Sequence, residues 1–199
     1  MLSLTASTIT LNLLARASDR FEASVFSYWA YILIGNNNTG KTSFQRKLVS
    51  HLCGQPYTRL PRNVVLPITY PQAPRSLATI FTCNRSFQET RSEYKSVAYY
   101  FKHFFKEADI CILLSHANGT SAEEIAEMIV KLKRRCYNVA GVFWSNAFDA
   151  DAKGITNLPW NENLWIDNPI LNRAEEIPEQ LDQIAKHFSE LLIARARTQ

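Results

Sequence analysis

Residues 35 to 42 read Gly-Asn-Asn-Asn-Thr-Gly-Lys-Thr, an order of residue types suited to holding a polyphosphate. Gly35 and Gly40 let the backbone turn and approach oxygen atoms with no Cβ in the way. Asn36, Asn37 and Asn38 tolerate left-handed backbone angles that most side chains avoid. Successive N–H groups of such a loop, through Thr39, present donors to phosphate oxygens together with the positive end of a following helix. Lys41 supplies a mobile positive charge for β- and γ-phosphates, and the Thr42 hydroxyl is placed to ligate Mg2+. Ser43 continues the same turn. The expected ligand is therefore ATP or GTP with Mg2+, held by Gly35 to Ser43, with Lys41 as catalytic cation and Thr42 as metal ligand.

Such a loop works only between a buried strand and a helix, and the flanking sequence predicts both. Tyr28 to Ile34 is aromatic and β-branched and runs straight into Gly35. Ser43 to Leu52 keeps Phe44, Leu48 and Leu52 at i, i+4 and i+8, with Gly54 as its stop. Further strands are predicted at 64–68, 78–82, 110–114, 139–144 and 164–166, with helices at 121–135 and 175–195 and an aromatic helical face around Tyr99 to Phe104. Strands alternating with helices imply a three-layer α/β/α sandwich with a mainly parallel sheet, because parallel strands need helical crossovers. Residues 8 to 27 show a mostly helical spacing, so the chain divides into an N-terminal helical extension, 1–27, and a nucleotide-binding domain, 28–199. The 55–76 connection holds five prolines and no lasting period. A loop of that length is expected to have a task, such as responding to a γ-phosphate.

The spacing matches G-x-x-x-x-G-K-[ST] in full, and with its strand and helix the chain resembles the P-loop NTPase superfamily over about residues 28 to 193. Only the loop matches sharply. Val139 to Asn146 is similar to the strand ending in Asn of the ParA and dethiobiotin-synthetase-like class, in which that Asn meets the base. Asn146 to Asp149 is similar to a GTPase NKxD element lacking its Lys. Asn146 and Asp149 are therefore candidate base contacts, an amide and a carboxylate that could read a base rim, with an Asx turn closing the strand as the alternative. Asn84-Arg85-Ser86 resembles the Glu-Arg-Ser of deoxynucleoside kinases and the Asp-Arg of thymidylate kinases, with Asn where those carry an acid.

That acid is the departure from the superfamily, whose enzymes end a strand beside the loop with an Asp that organises Mg2+. The 78–82 strand runs into Cys83-Asn84, and the 110–114 strand into Ser115-His116. Glu89 or Glu93 is the candidate replacement and Arg85 the candidate for stabilising transferred charge. The other reading pairs Arg85 with Glu89 at i,i+4 on a solvated helix, and gives Asn84 a helix-capping role. His116 is expected to be structural. Asp151 to Gly154 spells DxxG after Asn146 instead of before it, and is expected to be a loop. Asp167 follows the 164–166 strand and is expected near the base.

Composition bounds the remaining classes. A chain of 199 residues, 46% apolar, suffices for one core. A net charge of +4, from 22 basic and 18 acidic residues, gives only weak support for a nucleic-acid partner. The cations from Lys131 to Arg135 are expected to close a helix, and the aromatics from Tyr99 to Phe105 to form a packing surface or a partner interface and not to stack bases. No run reaches the ~20 apolar residues of a membrane span. Cys53, Cys83, Cys111 and Cys136 lack CxxC spacing and are expected to be buried thiols in a cytoplasmic protein. The functional expectation is a nucleoside triphosphate-binding protein, a slow NTPase or switch acting with a protein partner. A nucleoside or nucleotide kinase-like phosphotransferase and a nucleotide-holding subunit without turnover are the alternatives.

Overall fold

The computed structural model describes residues 28–118, 120–169 and 173–197. The helix expected between residues 8 and 27 lies outside them. Six strands form one sheet: β1 (Tyr28–Ile34), β2 (Val64–Pro67), β3 (Thr79–Thr82), β4 (Ile110–Ser115), β5 (Tyr137–Trp144) and β6 (Glu162–Ile166). Their spatial order is β2-β3-β4-β1-β5-β6. Every neighbouring pair is parallel except β2 with β3.

The helices are α1 (Lys41–Cys53), α2 (Arg91–Tyr94), α3 (Val97–His103), α4 (Ser121–Lys133), α5 (Ala150–Ile155) and α6 (Ile177–Arg197). β1 is buried from Ala30 to Ile34 without alternation, as a strand covered on both faces must be. Tyr137 and Trp144 lie seven positions apart on β5 and so point to opposite faces. Trp144 meets Phe44 of α1 edge-on at 5.1 Å, while Tyr137 meets Phe105, just past α3, at 6.1 Å. Helices therefore cover both faces, and the fold is the expected three-layer α/β/α sandwich.

On the first face Phe44, Phe188 and Tyr31 stack edge to face and join α1 and α6 to the sheet. On the second, Phe87, Tyr94, Tyr100 and Phe101 are buried against one another. The aromatics after residue 98 thus serve mainly as core. The basic turn ending α4 is also engaged: Lys131 pairs with Glu127, and Arg135 lies over Phe101 and pairs with Glu107.

Three expectations need correcting. Asp151 to Gly154 lies within α5, not in a loop, because Asp149 caps that helix by accepting from Ala152 N at 2.8 Å. The segment from Phe87 to Tyr94 is a 3-10 turn and a single helical turn, and no Arg85–Glu89 pair forms among the described residues. Cys136 is exposed, standing at φ 63° in the turn between α4 and β5. The other three cysteines are buried, and burial pushes the Cys53 and Cys83 thiols up to about 11 and Cys111 to about 12. No helix among the described residues is long and apolar enough to cross a membrane.

Candidate functional site

The parallel registers bring Ile34, Ser115 and Phe143 level. The turn after β1 therefore lies between the C-terminal ends of β4 and β5, the edge where open α/β sheets place their ligand crevices. Gly35 N donates to Ser115 O at 3.2 Å and begins that turn. A Cβ on Gly35 would stand 3.0 Å from Thr39 Oγ1, so a larger residue would require the Thr39 side chain to give by a few tenths of an ångström. Asn38 takes φ 63° and Gly40 φ 91°, so the left-handed geometry expected of the asparagines falls on one of the three. Gly40 opens α1 with no side-chain cap, and its carbonyl accepts from Phe44 N at 2.8 Å. The first N–H groups of α1 therefore receive no side-chain cap from Gly40.

Lys41 is only 5% exposed. Its ammonium folds over the turn and donates to Gly35 O at 2.5 Å, Asn36 O at 2.7 Å and Thr39 Oγ1 at 3.3 Å. Burial lowers its pKa from 10.5 to about 8, and the nearby Glu89 carboxylate opposes that fall. Ser43 is half-buried, and Thr42, Asn37 and Asn38 are exposed.

Glu89 reaches the site through the 3-10 turn Phe87–Thr90. Gln88 clips that turn to the end of β4: its Nε2 donates to Ser115 Oγ at 3.0 Å and to Glu124 Oε2 at 2.8 Å, and its Oε1 accepts from His116 N at 3.1 Å. Glu89 Oε1 then meets His116 Nε2 at 3.1 Å. Of the two candidate replacement acids, Glu89 is the one that acts on Lys41, through its charge and without a direct ion pair among the described residues. Glu93 pairs with Arg62 at 2.8 Å instead.

Asn84 does not cap the turn, whose N-cap is Ser86. Its Nδ2 donates to Leu60 O at 2.9 Å, which ties the 55–76 connection to the end of β3. Asn84 and Arg85 line an open cleft together with Thr42.

On the other flank, Asp149 caps α5 and also accepts from Asn36 Nδ2 at 3.2 Å. Asp149 thus acts locally as a helix cap and not as an Asx turn, and the same carboxylate braces the loop. Asn146 is half-buried, and its Oδ1 is buried without a hydrogen-bond partner. Asp167 accepts from Ser145 Oγ at 3.0 Å. Sequence reasoning missed Asn168, 5% exposed, whose Nδ2 donates to Thr39 O at 3.4 Å and whose N donates to Ser145 Oγ at 2.8 Å. It missed Gln88 as well. An amide two residues past the 164–166 strand, next to Asp167, was the available signal for Asn168; nothing in the spacing singled out Gln88.

Among the described residues no group of three or more His, Cys, Asp and Glu side chains could hold a metal by itself. A cation here would draw on Thr42 and on ligand oxygens, which is how Mg2+ commonly binds with few protein groups. No protein-family model matches the chain, and no curated protein matches it.

Proposed function

We propose that this is a P-loop protein that binds ATP or GTP with Mg2+ and hydrolyses it slowly, in a cycle read by a protein partner. The observation that carries the reading is Lys41: a buried ammonium on loop carbonyls, within the field of the Glu89 carboxylate, at the uncapped start of α1. Few ligands other than a polyphosphate would use a mobile buried cation and a row of helix N–H groups together. In this reading Lys41 exchanges its carbonyl partners for phosphate oxygens. Thr42 offers its hydroxyl to Mg2+, whose role when bound is to neutralise phosphate charge. Asn146, with its buried unpartnered oxygen, serves the base side.

Glu89 fills the role of the missing strand-end acid, and this favours a slow enzyme over a subunit without turnover. Among the described residues no strand-end Asp stands beside the loop to organise Mg2+, so turnover by the isolated chain is low. A reducing, cytoplasmic location fits cysteines that stay unpaired. The test is equilibrium binding of Mg·ATP and Mg·GTP to the full chain and to Lys41→Ala, with phosphate release measured alongside. Binding that is lost in Lys41→Ala while the thermal unfolding of the ligand-free protein persists is the expected result. Equal affinity in the two proteins would reject the phosphate cradle.

A further inference from the structure

Thr42 and Arg46 stand one helical turn apart on α1. Both face an open cleft of about 440 Å3 whose walls include Arg59, Leu60, Asn84 and Arg85. A contiguous cleft of about 590 Å3 shares those four residues and extends to Tyr57, Pro61 and Arg62. Both volumes lie in the range of small-ligand sites, ~300–1,000 Å3. Among the described residues four arginines line the combined space, and no carboxylate does.

The walls are fixed in place. Arg46 Nη1 donates to Thr58 O at 3.0 Å, Asn84 Nδ2 to Leu60 O at 2.9 Å, and Asn63 Nδ2 to the Tyr94 hydroxyl at 3.0 Å. Arg62 is balanced by Glu93 at 2.8 Å. Arg59 and Arg85 are exposed, and their guanidinium groups have neither an ion pair nor a hydrogen bond among the described residues. Gathering guanidinium groups without acids is unfavourable unless an anion joins them, and their planar forks suit phosphate oxygens. The Glu93 pair ends the cationic wall, so the arginines form a bounded pocket and not a track for a polymer backbone. Pro61 gives the far side an apolar surface beside the Tyr57 ring, with Leu60 buried behind it.

We infer that this cleft is a second anion subsite taking a phosphomonoester of about mononucleotide size. Its phosphate lies on Arg46, Arg59 and Arg85 beside Thr42, and its organic part lies toward Tyr57 and Pro61. The inference rests on the triphosphate reading in one respect: Thr42 is shared, so the second ligand sits next to the phosphate end of the first.

The experiment titrates AMP, ribose 5-phosphate and inorganic phosphate by calorimetry into the full chain carrying Lys41→Ala, which removes competition from the loop. One-to-one binding of AMP is expected, with Arg59→Ala plus Arg85→Ala weakening it ~10- to 100-fold, as loss of charge-assisted hydrogen bonds implies. Arg59→Lys plus Arg85→Lys keeps the charge without the fork and is expected to fall between. This milder pair also serves if the alanine pair unfolds. AMP bound much more tightly than ribose 5-phosphate identifies a nucleotide, and equal affinities a sugar phosphate; either supports the subsite. AMP binding unaffected by both pairs overturns it. So does binding of a single-stranded 12-mer oligonucleotide by a protein that ignores all three small probes. If the parent ignores Mg·NTP yet AMP binding still depends on the arginines, the loop reading fails and the subsite stands. If Mg·NTP binds and the arginines do not matter, the subsite alone fails.

Discussion

Lys41 carries a conflict that titration can expose. In the folded, ligand-free chain its pKa is near 8, against 10.5 for the free side chain, a difference of ~3 kcal/mol. The unfolded chain holds the proton more tightly, so below pH 8 this penalty is fully present. It is relieved as pH rises from about 8 to 10.5. The buried thiols and Tyr31, raised to about 12, act in the opposite sense above pH 9. The Lys41 share must therefore be read as a difference. The unfolding free energy of Lys41→Met minus that of the parent should be constant below pH 8 and shift toward the parent by up to ~3 kcal/mol by pH 10.5. A pH-independent difference in denaturant melts would contradict the buried-ammonium assignment. Triphosphate affinity should follow the same group, flat below pH 8 and falling up to ~10-fold per pH unit above it, because the bound form needs the charge.

Glu89 makes a second residue-scale prediction. It opposes the fall in the Lys41 pKa, so Glu89→Gln should move the pH at which affinity declines to a lower value. The same change should reduce phosphate release ~10²-fold, the usual scale for losing one preorganised electrostatic group. Unchanged release with the shifted pH profile would leave Glu89 as a neighbour of Lys41 and not as the working acid.

At the scale of elements, the site is a matter of what is clipped to the ends of β4 and β5. Gln88 joins the 3-10 turn to Ser115 and His116, while Asn168 and Asp149 brace the loop from the other side. Gln88→Ala should release Glu89 and lower phosphate release toward that of Glu89→Gln, leaving Mg·NTP affinity within ~3-fold. The stability loss should be ~1–3 kcal/mol for stranding the Ser115 and Glu124 partners. If affinity falls as far as turnover does, Gln88 supports the loop itself. These braces were the part of the site hardest to read in sequence. Gly35 to Thr42 is legible because backbone geometry and helix start are local, and so is β1, because full burial leaves an unbroken apolar run. Gln88 meets His116 across 28 positions and Asn168 meets Thr39 across 129. Such pairings follow from strand order, which hydrophobic period does not encode. The cap at Asp149 hid α5 behind a pattern that resembled a loop, and the one-turn helix at Arg91–Tyr94 is too short for any period to announce it.

For the whole molecule, the question is how far the loop shares its stability with the core. Leu181 of α6 lies near Gly40, where an added Cβ would stand 3.3 Å from its Cδ2. Phe188, two turns further along α6, packs on Phe44 and Tyr31, behind the loop. A ligand that binds only the folded state at 100 times its dissociation constant adds ~2.7 kcal/mol. For a domain of this size that is ~5–10 °C in Tm. Phe188→Ala should lower the ligand-free stability by ~3–5 kcal/mol through lost burial and a cavity, yet keep that ligand increment, because it leaves the loop's own contacts in place. Leu181→Ala should lower the ligand-free stability by ~2–5 kcal/mol and also reduce the increment at fixed ligand concentration, since it removes the contact behind Gly40. Calorimetric scans of both variants with and without Mg·ATP or Mg·GTP separate the two effects. Equal increments in both variants would mean that the loop is held by β1 and the strand-end braces alone, with α6 acting only as a cover for the core.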